Sequence, residues 1–282
     1  RTHRRARNRR IMAASLQSLV DGFAKRWPLE GAESWDTPGL VSGSAGQSVS
    51  KVLLTVDVTT AVLDQAIETG ANLIFAHHPY IMRGVTTLAE ETAKGALLAR
   101  AIRANVAIYA AHTNADIVTN GVSDVIAKAL GLQSIRALDD TSKLEGHGRV
   151  GVLPDALTLG DFARLVARVF PSTATGVRVA GDYNQMVEKV ALCGGAGDSF
   201  IPAAIQAQAD VYLSSDLRHH VVQDARETAL LSGGPAIVDI AHWAAEWLWL
   251  DQAASELRKI YPDVDFEVSD LNTDPWDFVI TQ

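Results

Sequence analysis

Four of the eight histidines stand where imidazole chemistry could be built. His77 and His78 close the run Leu73-Ile74-Phe75-Ala76-His77-His78-Pro79, His112 opens His112-Thr113-Asn114-Ala115-Asp116, and His242 precedes Glu246 by one helical turn. Imidazole and carboxylate suit zinc, iron or manganese, and a single cysteine, Cys193, argues against a thiolate site. Adjacent side chains on a regular strand point to opposite faces. Two neighbouring histidines can therefore serve one point only where the strand has opened into a loop, which Pro79 would hold. Residues i and i+4 share a helix face, so His242 and Glu246 can bind one centre. Singly, each motif is weak: paired histidines also occur on surface loops, and any long helix can carry HxxxE. Together they exceed the three protein ligands of a catalytic zinc and would suit two ions bridged by a carboxylate or a water.

The elements that must position these residues alternate. Apolar runs at 52–58, 72–76, 106–111, 187–192, 210–214 and 236–240 read as strands, with weaker strands at 149–153 and 177–180 and an edge strand at 265–269. Helical patterns fill 14–27 (capped by Ser15), 59–69, 88–104, 122–130, 158–170, 200–207, 221–231 and 242–260. Residues 35–40 read as a loop, 42–50 as small and polar, and Gly194-Gly195-Ala196-Gly197 as a tight turn that lacks the Lys-Ser/Thr of a phosphate-binding loop. Strand–helix alternation argues for largely parallel sheets packed by helices. In such sheets ligand sites gather at the carboxyl ends of strands, which is where His77, His78, His112 and His242 fall. Two α/β lobes around one site is the simplest architecture: 12–135, then 136–282, after a basic tail at 1–11 expected to be disordered.

Composition bounds the function. The chain has 282 residues, 48% hydrophobic and 21% charged, an ordinary globular balance. Six arginines lie in the first ten residues; without them the count is 25 − 6 = 19 basic against 33 acidic, or −14, a poor general nucleic-acid binder. Met12 follows this tail and is the expected natural start. One cysteine allows no intrachain disulfide and fits a reducing, cytoplasmic setting. No apolar run reaches the roughly 18 residues that would span a bilayer.

Four motifs in order make the chain resemble the Nif-three-like proteins, often named GTP cyclohydrolase I type-2 homologs. Trp35-Asp36-Thr37-Pro38-Gly39-Leu40 is similar to the family's Trp-Asp-Asn-x-Gly-Leu loop, and His77-His78-Pro79 to its histidine pair. His112-Thr113-Asn114-Ala115-Asp116 is similar to its His-Thr-Asn-x-Asp segment, and Ala241-His242-Trp243-Ala244-Ala245-Glu246 to its Gly-His-x-x-Ser/Thr-Glu segment. The resemblance covers nearly everything from Ser15 to Ile280. It implies a two-lobed α/β fold with mixed sheets packed by helices and a dinuclear metal site between the lobes. It also implies His77, His78, Asp116, His242 and Glu246 as ligands of two divalent ions, His112 as a nearby residue, and a ring-like homohexamer. The length fits the short form, without a mid-chain insert. Thr37, Ala241 and Ala245 depart from the family pattern; none is a ligand, and substrate choice is what they put in question.

Asp57 is read as either a carboxylate orienting a histidine or a helix cap, and Asp216 and His220 as either substrate contacts or a surface turn. Glu256, ten residues beyond Glu246, is expected to be neutral to substitution. Trp243, Trp247 and Trp249 read as helix packing. The functional expectation is a metal-dependent hydrolase acting on a small molecule or nucleotide, with GTP cyclohydrolase activity suggested by the resemblance alone. The alternative is a non-enzymatic, metal-holding scaffold that binds a protein partner.

Overall fold

The structure, a computed structural model, describes residues 13–139 and 146–281. The arginine-rich tail and Met12 lie outside the described residues. The chain forms two compact units: residues up to 28, 36–111 and 253–271 make the first, and 29–35, 112–252 and the residues from 272 on make the second. The expected boundary at 135/136 is not the one these units show: 29–35 and 112–135 group with the second unit, and 253–271, with the C-terminal strand, groups with the first.

In the first unit β1 (Ala14–Ser15) leads into α1 (Leu16–Arg26), where the Ser15 hydroxyl accepts the Ser18 N–H at 3.2 Å. Then come β2 (Gly39–Ser42), β3 (Ser48–Val49), β4 (Lys51–Thr55), α2 (Thr60–Thr69), β5 (Leu73–Ala76), α3 (Ala93–Arg103) and β6 (Ala107–Ala110). Strands β4, β5 and β6 are parallel, and Thr55, Ala76 and Ala110 are in register at their carboxyl ends. Every residue of β5 and β6 is buried, which is why both read as unbroken apolar runs. Phe23, Trp27, Phe75 and Tyr109 pack as one aromatic cluster, with Phe23–Phe75 and Phe23–Tyr109 centroids both 5.0 Å apart.

Two local expectations change here. The helix read from residue 88 starts at Ala93, because the Thr92 hydroxyl accepts the Gly95 N–H at 3.1 Å and caps it there. The loop read at 35–40 becomes β2 at Gly39, whose φ of +112° lets the chain turn into an antiparallel pairing with β6.

The second unit runs α4 (Thr113–Asp116), α5 (Val122–Ala129), β7 (Gln133–Ala137), β8 (Arg149–Thr158), α6 (Leu159–Val169) and β9 (Arg178–Ala180). It continues with β10 (Met186–Ala196), α7 (Ile201–Gln206), β11 (Val211–Ser215), α8 (His219–Ser232), β12 (Ala236–Ile240) and α9 (His242–Ile260). Its sheet has the order β7-β8-β10-β11-β12-β9, with β10, β11 and β12 parallel and the remaining pairings antiparallel. The polar sequence Gln-Ser-Ile-Arg-Ala hid the edge strand β7. Gly194 and Gly195 do not form a free turn. They continue β10 through a register shift between Leu192 and Ala196, with Gly195 at φ +72°.

Within this unit Arg149 is 3% exposed and holds Asp124 at 3.3 Å, while its guanidinium also donates to the carbonyls of Gly146, Gly148 and Val118. Trp243 and Trp249 are buried. From residue 253 α9 belongs to the first unit, where Glu256 is paired with Arg26 and is therefore no idle surface carboxylate. Last, β13 (Asp265–Val268) pairs parallel with β4 and completes the order β13-β4-β5-β6-β2 with β13 at the edge. Among the described residues no helix is long and apolar enough to cross a membrane.

Candidate metal centre

The first unit contributes the histidine pair from the carboxyl ends of its parallel strands. The backbone N–H of His77 donates to Thr55 O at 3.0 Å and that of His78 to Val56 O at 2.9 Å, so the chain beyond β5 stays tied to the chain beyond β4. His77 is fully buried, and its Nδ1 lies 2.9 Å from the carbonyl oxygen of Ala111. His78 Nδ1 lies 2.7 Å from Asp57 Oδ1. Asp57 is thus placed against an imidazole, while the cap of α2 is Thr59, whose hydroxyl accepts the Val62 N–H. The two rings are 5.2 Å apart at 43°.

The second unit repeats the device at the ends of β11 and β12, where Ser215 and Ile240 are in register. His242 starts α9, with Nδ1 2.8 Å from Asp216 Oδ2 and Nε2 2.8 Å from Glu246 Oε1. Asp216 adopts φ +52°, the left-handed region that short polar side chains tolerate best. That conformation delivers its carboxylate to His242. Burial opposes a charged His242, but Glu246 and Asp216 outweigh it and push its pKa well above the ordinary histidine value. Glu246 is 3% exposed.

A Cβ at Gly195 would stand 2.6 Å from Glu246 Oε1 and 3.4 Å from His242 Nε2. Gly195 thus brings the backbone against this pair, with no room for a side chain. The sequence offered the glycine run but no sign of what it faces.

The other candidates, His112, Asp116 and His220, belong to the second unit. His112 is 8% exposed at the start of α4, and Asp116 ends that helix, partly buried. His220 is exposed on the first turn of α8, its ring edge-on to His219 at 5.1 Å. Burial, then the charges of Asp116 and Glu246, push the Cys193 thiol far above its ordinary pKa. It is a neutral thiol and a poor nucleophile. Iodoacetamide should therefore label Cys193 slowly in the native protein and rapidly in urea, as followed by mass spectrometry.

The donor chemistry fits a divalent ion. Among the described residues the side chains able to hold one include His77 with His78 in the first unit and His242 with Glu246 in the second, with ligand atoms within 4.8 Å in each pair. An imidazole whose Nδ1 is engaged by a carbonyl or carboxylate presents Nε2 in the tautomer that binds metal.

Comparison with known proteins agrees with this arrangement of motifs. The sequence profile described as Duf34/NIF3 (NGG1p interacting factor 3) matches residues 14–275. A Streptomyces coelicolor protein named GTP cyclohydrolase 1 type 2 homolog is 42% identical over 269 residues, spanning 93% of each chain. Among solved structures, a Bacillus cereus protein related to NIF3 superposes with a TM-score of 0.85 at 26% identity, over 94% of this chain and 99% of its own. A Staphylococcus aureus hypothetical protein gives 0.86 at 28% identity over the same shares. The chain belongs to the Duf34/NIF3 family.

Proposed function

We propose that the two halves act as one centre for two divalent ions and that the loaded protein is a hydrolase. His77, His78, Asp116, His242 and Glu246 would be the ligands, with Asp57 and Asp216 fixing two of the imidazoles and His112 close by. The observation that carries this reading is the shared geometry of His77, His78 and His242: each has Nδ1 within 2.9 Å of an oxygen acceptor, which leaves Nε2 as the donor. Bound divalent ions would lower the pKa of a water and hold substrate oxygens in place. Within the chain, Asp57 and Asp216 hold ring orientation and raise imidazole basicity, and the buried carboxylate of Glu246 offsets cation charge. The names of the relatives make GTP the first substrate to try, and the single cysteine suits a cytoplasmic setting.

Metal-loaded and chelator-stripped protein should be compared on GTP and on a panel of phosphate, amide and ester substrates. Turnover that disappears with the metal and returns on reloading supports the hydrolase. Metal retention without turnover on any of them would favour the scaffold. A homohexamer is also proposed, so light scattering should give several times the 30.2 kDa chain mass, and a monomer at micromolar concentration would refute it.

A further inference from the structure

Trp35 is 58% exposed, whereas Trp27, Trp243 and Trp249 are each 6% exposed or less. An indole left in water beside a candidate site calls for an explanation, because large aromatics lose the most by staying solvated. The ring is also held in place. It meets the buried His112 ring edge-on, with centroids 5.8 Å apart at 79°. Two residues earlier, the Glu33 backbone N–H donates to Thr113 Oγ1 at 2.9 Å, which ties the loop to the first residue of α4. The Glu33 carboxylate lies 2.9 Å from His147 Nε2, and His147 in turn packs on Phe200 at 5.5 Å. The result is an exposed, pre-ordered aromatic surface with a half-exposed carboxylate acceptor in the same loop. All of these residues belong to the second unit, which also carries Asp116.

We propose that Trp35 is a stacking platform for a planar nitrogen heterocycle, with the Glu33 carboxylate accepting a ring or amino N–H. The proposal rests on the metal-centre reading in that it assigns the substrate class of the same site. A flat ring gains from stacking on indole whatever its sequence of heteroatoms, and a carboxylate selects rings that carry N–H donors. A substrate consisting only of sugar and phosphate would gain neither. Trp35 is a positioning residue here, distant in role from proton transfer.

The test is equilibrium dialysis of adenosine, cytidine and guanosine against the full metal-loaded chain, with ribose 5-phosphate as the non-planar control. Metal content and mass are measured on the same samples. Trp35→Ala should weaken nucleoside binding by roughly 5- to 100-fold, the range seen when a stacking aromatic is truncated. Trp35→Phe should recover most of it, and Trp276→Ala, at the other exposed indole, should change nothing. The metal content of all three should equal that of the parent. Parent protein that binds no nucleoside, or Trp35→Ala that binds as tightly as the parent, overturns the platform. So does a fall in oligomeric mass with nucleoside affinity retained, which would assign Trp35 to a contact between copies. A chain without metal that still loses nucleoside binding on Trp35→Ala would sink the metal reading and keep the platform.

Discussion

Glu246→Gln should cost the protein at least one metal ion and leave its fold intact. The carboxylate is buried, one turn after His242, with Oε1 2.8 Å from His242 Nε2. Glutamine fills the same volume, so the packing around α9 survives. What disappears is the anion, and with it an oxygen pair able to span two cations. Changes behind a ligand typically weaken metal binding 10- to 100-fold, and loss of the charged ligand itself should exceed about 100-fold. Asp251→Asn is the suitable control, since Asp251 is exposed on the same helix, whereas Glu256 is engaged with Arg26. Both variants should keep the parent's circular dichroism, and only Glu246→Gln should lose metal on dialysis. Equal retention by both would remove Glu246 from the ligand set.

The second large effect is on stability. Arg149→Met should cost about 3–5 kcal/mol in urea unfolding, the range for breaking a buried charge pair by removing one partner. The substitution leaves Asp124 short of a cation and three backbone carbonyls without the guanidinium. Lys128→Ala, which removes the half-exposed partner of the same carboxylate, should cost less than about 1 kcal/mol. The pH dependence has a definite sign. Burial pushes the Asp124 pKa up, but Lys128, the Asn120 N–H and Arg149 outweigh it and hold the value below that of an ordinary carboxylate. A lowered folded-state pKa contributes stability that is fully present above the unfolded value and is lost as pH falls through the folded one. Asp124→Asn should therefore be destabilised at neutral pH and approach the parent as both are acidified below the ordinary carboxylate range. A gap that stayed constant down to the folded pKa would contradict this.

Much of the arrangement was legible because the strands that deliver the site are buried on both faces. Leu73-Ile74-Phe75-Ala76 and Ala107-Ile108-Tyr109-Ala110 carry no polar residue to blur them, so the residues after each stand out. HxxxE was legible as a pair because helical spacing alone brings i and i+4 together. Partners distant in sequence were legible only as alternatives: Asp57 as a carboxylate behind a histidine or a helix cap, Asp216 as a substrate contact or a surface turn. Asp57 and Asp216 each lie more than twenty residues from the histidine they face, and only the parallel register of β4 with β5 and of β11 with β12 brings them there. Gly195 was hidden for a related reason: a glycine run fits a turn or a bulge equally well, and the neighbours that decide are on another element. Strands β2 and β7 escaped because edge strands can be short and polar without leaving a buried face unpaired.

Two divalent ions per chain, held through imidazoles oriented from behind by oxygen acceptors, are what the proposed function requires. The most direct measurement is elemental analysis of protein purified without chelator, expressed per chain. The expected result is about two zinc, iron or manganese ions per chain for the parent. In the same preparation His77→Ala and His242→Ala should each fall well below two. A parent chain carrying no transition metal, and taking up none on incubation with each of the three, would contradict the account.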